Sequence, residues 1–419
     1  MDVKKILKEE IEKIRPNKED INKINKFSKE FLINLKSSLK KSNIDAEGFI
    51  GGSVAKNTVI KTDDEIYDID IFVRFKEKYK EKNISEILES VLKNDYKRVH
   101  GSRDYFHIIK DNLIIEIIPV IKVKNPQKAT NVTDLSFFHV KYVLDKIKKD
   151  KKLADEIRLA KAFCHSQNCY GAESYIKGFS GYSIELLIIH YKSFLNFLKA
   201  IANEKELILI DDLKHYKNKK NILNELNESK LKSPIILIDP TFKDRNALSG
   251  LSEETFQKFK KASIEFLKNP NISFFTKKDI LAEFEKEKNL KILIIKTNKQ
   301  KGDIAGTKSK KFHNYLISQI KKEFLVIKSD FKYEEENNVA YSYISIKEKG
   351  IETVKGPPIK MTDHFNSFKK SHPEFFIKNN ISYAKLKHEI DFEEFIQIFN
   401  NKEKKIMNEM GIIELKITN

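Results

Sequence analysis

The chain has 419 residues, with 79 lysines and arginines against 61 aspartates and glutamates, a net charge of +18. That length supports two to four domains with real cores, and the basic excess favours a polyanionic partner through phosphate neutralisation. A membrane surface would also suit the charge, but the longest apolar runs, such as Leu186 to Ile189, fall far short of a spanning helix. Met1-Asp2-Val3-Lys4-Lys5 opens an acidic–basic helix and not a signal peptide. Cys164 and Cys169 are the two cysteines and belong to no metal or redox motif. They are expected to be reduced core residues of a cytoplasmic protein.

Residues 2–15 and 18–41 read as two helices broken at Pro16-Asn17, with Asn17 as N-cap. A mixed region follows: strand 47–51, a Gly-Ser turn, strand 67–75, a helix near 84–94, and strands near 96–100, 104–109 and 113–123. These predict a mixed sheet with helices on one face. From Leu135 to Leu198 the pattern is helical, interrupted by a loop from Asn168 to Gly181, and a further helix spans 252–267. Strands are expected over 290–296, 324–332 and 339–347, helices over 309–323 and 391–410. The lysine-rich stretch 214–232 reads as an exposed connector.

The chemistry concentrates between Gly52 and Phe75. Gly52-Ser53-Val54-Ala55-Lys56-Asn57-Thr58 precedes Asp68-Ile69-Asp70-Ile71-Phe72-Val73. Strand side chains alternate, so Asp68 and Asp70 share one face while Ile69, Ile71 and Val73 point into the core. Two like charges beside each other on a buried sheet call for a divalent cation. An Asp-x-Asp can also be a solvated edge decoration, but the apolar residues on both sides argue against that. Glycines just ahead of such a strand allow close backbone approach, and the interval from Ser53 to Asp70 leaves room for one short helix. Leu113-Ile114-Ile115-Glu116-Ile117-Ile118-Pro119 is a buried-strand run with one ionisable residue at its centre. Glu116 is either the third carboxylate of a metal cage or half of a salt bridge with a lysine or arginine. A three-carboxylate site holding Mg²⁺ suits nucleotidyl transfer.

Other positions carry weaker signals. Lys161 lies on a helix with Arg158 one turn before it; a lone helical lysine usually faces solvent. His139 by default is a satisfied, partly buried histidine. Tyr170-Gly171-Ala172-Glu173 and Gly178-Phe179-Ser180-Gly181-Tyr182-Ser183 read as tight turns against a ligand or another helix. Arg245-Asn246, beyond Asp239-Pro240, can read base edges or cap a turn.

These residues together resemble the archaeal-type (class I) CCA-adding enzymes, tRNA nucleotidyltransferases. The resemblance is carried by Gly52-Ser53-x-Ala55-Lys56-x-Thr58, Asp68-x-Asp70-x-Phe72, Glu116-x-x-Pro119, Leu153-Ala154-Asp155-Glu156-x-Arg158, the two glycine-bracketed stretches, Asp239-Pro240 with Arg245-Asn246-Ala247, and Gly356-Pro357-Pro358. It thins between about 295 and 345. It implies an α+β fold: a polymerase β-like nucleotidyltransferase head (1–134), a helical nucleotide-binding neck (135–270), a body (271–327, with 390–419 packing back) and a tRNA-binding tail (328–389). It implies Asp68, Asp70 and Glu116 as catalytic metal ligands. Gly52, Ser53 and Lys56 would hold the triphosphate, with further contacts from His139, Lys161 and Tyr170, and Arg245 near the base. Implied partners are CTP, ATP and the acceptor and TΨC arms of tRNA, and a homodimer is admitted. Two features depart from the family: Glu116 stands where Asp is usual, moving the carboxylate by roughly 1–1.5 Å, and an insertion of three residues lies between Thr58 and Asp68. The remaining readings are a poly(A) polymerase or second-messenger synthase of the same superfamily, or a catalytically silent RNA-binding homologue.

Overall fold

The computed structural model describes residues 2–62, 65–92, 96–284, 287, 289–298 and 300–418. The interval between Thr58 and Asp68, where the insertion is expected, contains residues 63 and 64, and the expected helix end includes 93 and 94, so both lie partly outside the described residues. The chain forms two compact units, Met1–Ala172 with Ile176–Lys277, and Glu173–Tyr175 with Lys278–Asn419.

The first unit opens with α1 (Val3–Ile14) and α2 (Lys18–Lys41). Pro16 and Asn17 break them, and the Asn17 side chain accepts the Asp20 N–H, the cap the sequence predicts. Next come β1 (Ala46–Ile50), α3 (Gly52–Lys56), β2 (Tyr67–Phe75), α4 (Ile84–Glu89), β3 (Lys97–Val99), β4 (Tyr105–Lys110) and β5 (Leu113–Ile121). The sheet order is β1-β2-β5-β4-β3, with β2 and β5 parallel and the other pairs antiparallel. The mixed sheet is thus as the pattern predicts. Ile69, Ile71 and Val73 are fully buried against Leu35 and Leu39 of α2 and Leu88 of α4. Each such side chain contributes roughly 1.5–3 kcal/mol of burial, which fixes the opposite face of β2 toward solvent. Two local expectations shift: the Gly-Ser turn is the first turn of α3, and the helix predicted over 84–94 ends at Glu89.

The rest of this unit is largely helical: α5 (Ser136–Lys149), α6 (Leu153–Ser166), α7 (Gly181–Tyr191), α8 (Phe194–Asn203) and α11 (Glu253–Lys268). Between α8 and α11 lie β6 (Ile208–Ile210), α9 (Lys219–Glu225), α10 (Glu228–Leu231), β7 (Ile235–Asp239) and β8 (Phe242–Asn246). Phe163 of α6 centres an aromatic core with Phe194, Phe259, Phe266 and Phe275. Both cysteines are buried, and no disulfide joins them. The stretch 214–232 is not the exposed connector its lysines suggest. Tyr216, Ile222 and Leu226 are buried with Ile236 and Ile238 of β7, because a few apolar residues suffice to seat two short helices whose lysines face outward.

The second unit holds α12 (Ile280–Phe284), β9 (Leu290–Thr297), α13 (Gly302–Glu323), β10 (Phe324–Glu334), β11 (Val339–Glu348), β12 (Gly350–Pro358), α14 (Thr362–Ser371), β13 (Phe375–Lys378), β14 (Ile381–His388), α15 (Phe392–Lys402), α16 (Lys404–Glu409) and β15 (Ile412–Thr418). One sheet runs β10-β11-β9-β15, so the C-terminal strand pairs with β9; a second runs β12-β14-β13. The helix expected to start at Ser309 starts at Gly302, and the final helix is two, divided at Glu403. Among the described residues no helix is long and apolar enough to cross a membrane.

Candidate active site

The parallel pairing of β2 with β5 sets Asp70 directly opposite Glu116. Asp68, two residues earlier, shares that face. On the other side of β5, β4 places His107 opposite Glu116, and His107 Nε2 donates to Glu116 Oε1 at 2.9 Å. The partner of Glu116 is therefore a histidine, not the lysine or arginine of the salt-bridge reading.

Burial, the Glu116 charge and then the Asp68 charge push the Asp70 carboxyl up to about 7; Lys56 and Lys161 offset part of that. Burial and Glu116 push Asp68 up to about 6, although its side chain opens to solvent at the cavity mouth. Among the described residues, none of the three carboxylates is ion-paired to a lysine or arginine. Nor does any group of three or more His, Cys, Asp or Glu side chains already form a closed cation cage. What the structure supplies is three hard oxygen donors on adjacent strands in a field that disfavours their joint ionisation. That donor chemistry and the uncompensated charge fit a divalent cation such as Mg²⁺.

The loop ahead of β2 is built onto these acids. Gly51 N–H donates to Asp70 O at 2.8 Å. Gly52 has φ +54°, and a Cβ there would lie 1.6 Å from Asp70 Oδ2. Only glycine satisfies both conditions. α3 then places Ser53 and Lys56 on the cavity and ends at Asn57 in the left-handed region. Arg158 of α6 fixes the turn beyond: its Nη2 donates to Asn57 O (2.7 Å) and its Nε to Val59 O (2.9 Å).

Lys56 reaches a second buried carboxylate. Its Nζ lies 2.6 Å from Glu185 Oε2, while Lys161 Nζ lies 3.2 Å from Glu185 Oε1. Thr58 Oγ1 donates to Glu185 Oε1 (3.1 Å) and accepts from Lys161 Nζ (3.0 Å). Burial alone would raise the Glu185 carboxyl, but the two ammonium groups hold it below its ordinary value. Burial lowers Lys161, and neighbouring Lys56 adds to that, against the pull of Glu185.

The far wall is organised by Asp239, at the end of β7. It accepts from His139 Nε2 (3.0 Å), Tyr182 Oη (3.1 Å), Thr241 N (2.8 Å) and Arg245 Nη1 (2.7 Å). Burial works against its charge, but His139, Arg245 and the Thr241 N–H hold its carboxyl well below the usual range. His139 stacks on Tyr182 with ring centroids 4.0 Å apart, and burial lowers the imidazole. Tyr170 stacks on His165 at 3.7 Å.

A cavity of about 310 Å³ joins these parts, at the small end of ligand sites. Of the residues singled out from sequence, Gly52, Ser53, Lys56, Asp68, Asp70, Glu116, His139, Lys161 and Tyr170 line it. Arg245 does not line it and stands behind the wall through Asp239. Sequence reasoning missed Glu185, His107 and the hub role of Asp239. Glu185 had a legible signal, a single acid between Ile184 and Leu186 in an apolar helix.

The sequence profile described as "tRNA nucleotidyltransferase, second domain" matches residues 155–276. That of the "Second Messenger Oligonucleotide or Dinucleotide Synthetase domain" matches residues 1–136. The solved Cid1 poly(U) polymerase shares the fold, with a TM-score of 0.51 at 13% identity over 65% of this chain and 98% of that one. A CCA-adding enzyme of Nanoarchaeum equitans is 35% identical over 377 residues, 89% of this chain and 91% of that protein. One of Methanocaldococcus jannaschii is 31% identical over 418 residues, 95% and 90%. With that similarity spanning both units, the chain belongs to the CCA-adding enzymes, a family of nucleotidyltransferases.

Proposed function

We propose that this enzyme completes the 3′ end of tRNA, transferring CMP, CMP and AMP from CTP and ATP with release of pyrophosphate. The observation that carries the reading is the single cavity that holds three facing carboxylates on one side and two buried lysines on the other. Acids to activate and cations to seat a triphosphate are the two halves of a phosphoryl-transfer site. The +18 charge supports a polynucleotide acceptor. In this reading the second unit grips the acceptor and TΨC arms, and the protein works in the cytoplasm.

Asp68, Asp70 and Glu116 would hold Mg²⁺. The bound cations would supply positive charge at the α-phosphate and the departing pyrophosphate. The chain's own residues do the rest. Lys56 and Lys161 seat the phosphates, with Ser53 and Tyr170 beside them. His139 and Tyr182, locked by Asp239, form the wall against which the nucleotide is oriented, and Arg245 fixes that wall from behind. The RNA 3′ oxygen attacks the α-phosphorus as the α–β bond breaks, and its proton passes to Glu116 Oε2, the oxygen that His107 leaves free.

His107 thus anchors the acid that receives the proton. His107→Leu is expected to lower kcat by about 10–10²-fold with the nucleotide KM unchanged, while His107→Gln, which keeps a donor, retains most of the rate. Steady-state kinetics of both variants check this; equal losses in both would mean that the bond to Glu116 is not what matters.

The functional test is direct. Purified protein with tRNA lacking its CCA end, Mg²⁺, CTP and ATP should extend the RNA by three nucleotides. CTP alone should stop the product one addition short. Long tails or cyclic products from ATP alone would assign the enzyme to a tailing or second-messenger branch of the fold, and no extension at all would contradict the reading.

A further inference from the structure

Glu185 is fully buried in the cavity wall, and both of its oxygens are taken up by the protein's own groups, the two lysines of the cavity among them. We propose that Glu185 is a positioning residue for nucleotide binding: it holds Lys56 and Lys161 side by side as one triphosphate seat without touching the nucleotide. The proposal rests on the reading that the triphosphate occupies this cavity.

The geometry argues for it in three ways. The two lysines come from different elements, α3 and α6, and converge only through α7. Each Glu185 oxygen is committed, Oε2 to Lys56 and Oε1 to Lys161 and Thr58, so the carboxylate cannot swing toward a ligand. The donors are not exhausted: Lys56 uses one N–H on Glu185, and the longest Lys161 bond, 3.4 Å to Thr58 O, is the one a phosphate oxygen would displace. The trio keeps one net positive charge, and two ammonium groups this deeply buried would repel each other without the shared acid.

That repulsion provides a readout a merely structural residue would not move. The groups facing Lys161 are Glu185 from α7, Lys56 and Thr58 from α3 and its loop, and Asp70 from β2, with His165 on its own helix and Tyr170 nearby. Of these, Glu185 is the acid bonded to Lys161. Without its charge, Lys161 sheds its proton more readily, because burial and Lys56 already disfavour the ammonium. Triphosphate binding must then take up a proton, so affinity falls as pH rises.

The experiment is ATP binding to the full chain by calorimetry, between about pH 6 and about pH 9, with folding checked by circular dichroism. Titration of Asp68 and Asp70, which line the cavity, is common to wild type and variant, so the readout is the ratio of the two affinities at each pH. Glu185→Gln should match the wild type at the acid end and weaken relative to it by up to about tenfold per pH unit above. A ratio that does not change with pH would overturn the proposal. Lys161→Met tests the underlying reading separately, since unchanged ATP affinity there would remove the triphosphate from this cavity. If Glu185→Gln does not fold, the double variant Glu185→Gln/Lys161→Met removes both charges together. It should bind ATP more weakly than Lys161→Met alone, because Lys56 has also lost its anchor. Affinity equal to or above that of Lys161→Met would show that Glu185 does not position Lys56, and would overturn the proposal.

Discussion

Asp70→Asn is expected to reduce the rate of nucleotide addition by at least ~10³-fold while leaving the melting temperature equal or higher. The two effects have one cause. Asp70 sits on a buried strand facing Glu116 and beside Asp68, and its carboxyl is pushed from 3.8 up to about 7. A carboxyl whose folded pKa is raised is disfavoured in its charged form. That penalty is absent below its unfolded pKa near 3.8, grows as pH rises, and is complete above about 7. Asparagine keeps the shape and removes the charge. Thermal melts without divalent cation should therefore show the variant gaining on the wild type from about pH 4 to about pH 8. In the proposed mechanism the reaction needs that charge, which would account for an acid kept at a stability cost. A variant within tenfold of the wild-type rate would show that the acid is structural.

The second large effect is at a residue with no side chain. Gly52→Ala would place a Cβ 1.6 Å from Asp70 Oδ2 on a backbone at φ +54°. Flexible surroundings cannot absorb such an overlap, because Gly51 N–H is tied to Asp70 O and the apolar face of the strand below is fully buried. The carboxylate must rotate away or α3 must lift. We expect a rate loss of about 10²-fold or more from misplacing a reacting group by an ångström, accompanied by some destabilisation from left-handed alanine. Gly48→Ala is the control, because the atoms it would meet are Leu32 and Leu35 side chains and not the site. Comparable activity losses in the two variants would deny Gly52 its special relation to Asp70.

What was legible in the sequence follows the range of the physics. Alternation along β2 predicted both its buried face and its acids, since period-two patterning is local. The Asn17 cap was equally local. The register that sets Asp70 against Glu116 is a pairing between strands over forty residues apart, so composition carries no trace of it. The same holds for His107 and for the Asp239 hub, whose partners come from three separate segments. The family resemblance supplied the long-range part for Lys56 and Lys161, but not the carboxylate that joins them. Lysine content misled over 214–232, where three apolar side chains settle the fold and the lysines decorate it. Strands β12 and β14 were also missed: their charges alternate with partly buried residues, a pattern weaker than the apolar run of β5.

Central to the proposed function is one cavity in the first unit that receives both a divalent cation and a triphosphate. The most direct measurement is a crystal of the protein grown with Mn²⁺ and a non-hydrolysable CTP analogue, located by anomalous scattering. A manganese peak is expected between Asp68 and Asp70 within reach of Glu116, with the β- and γ-phosphates against Lys56 and Lys161. Manganese and phosphates bound together elsewhere, with these acids and lysines unliganded, would contradict it.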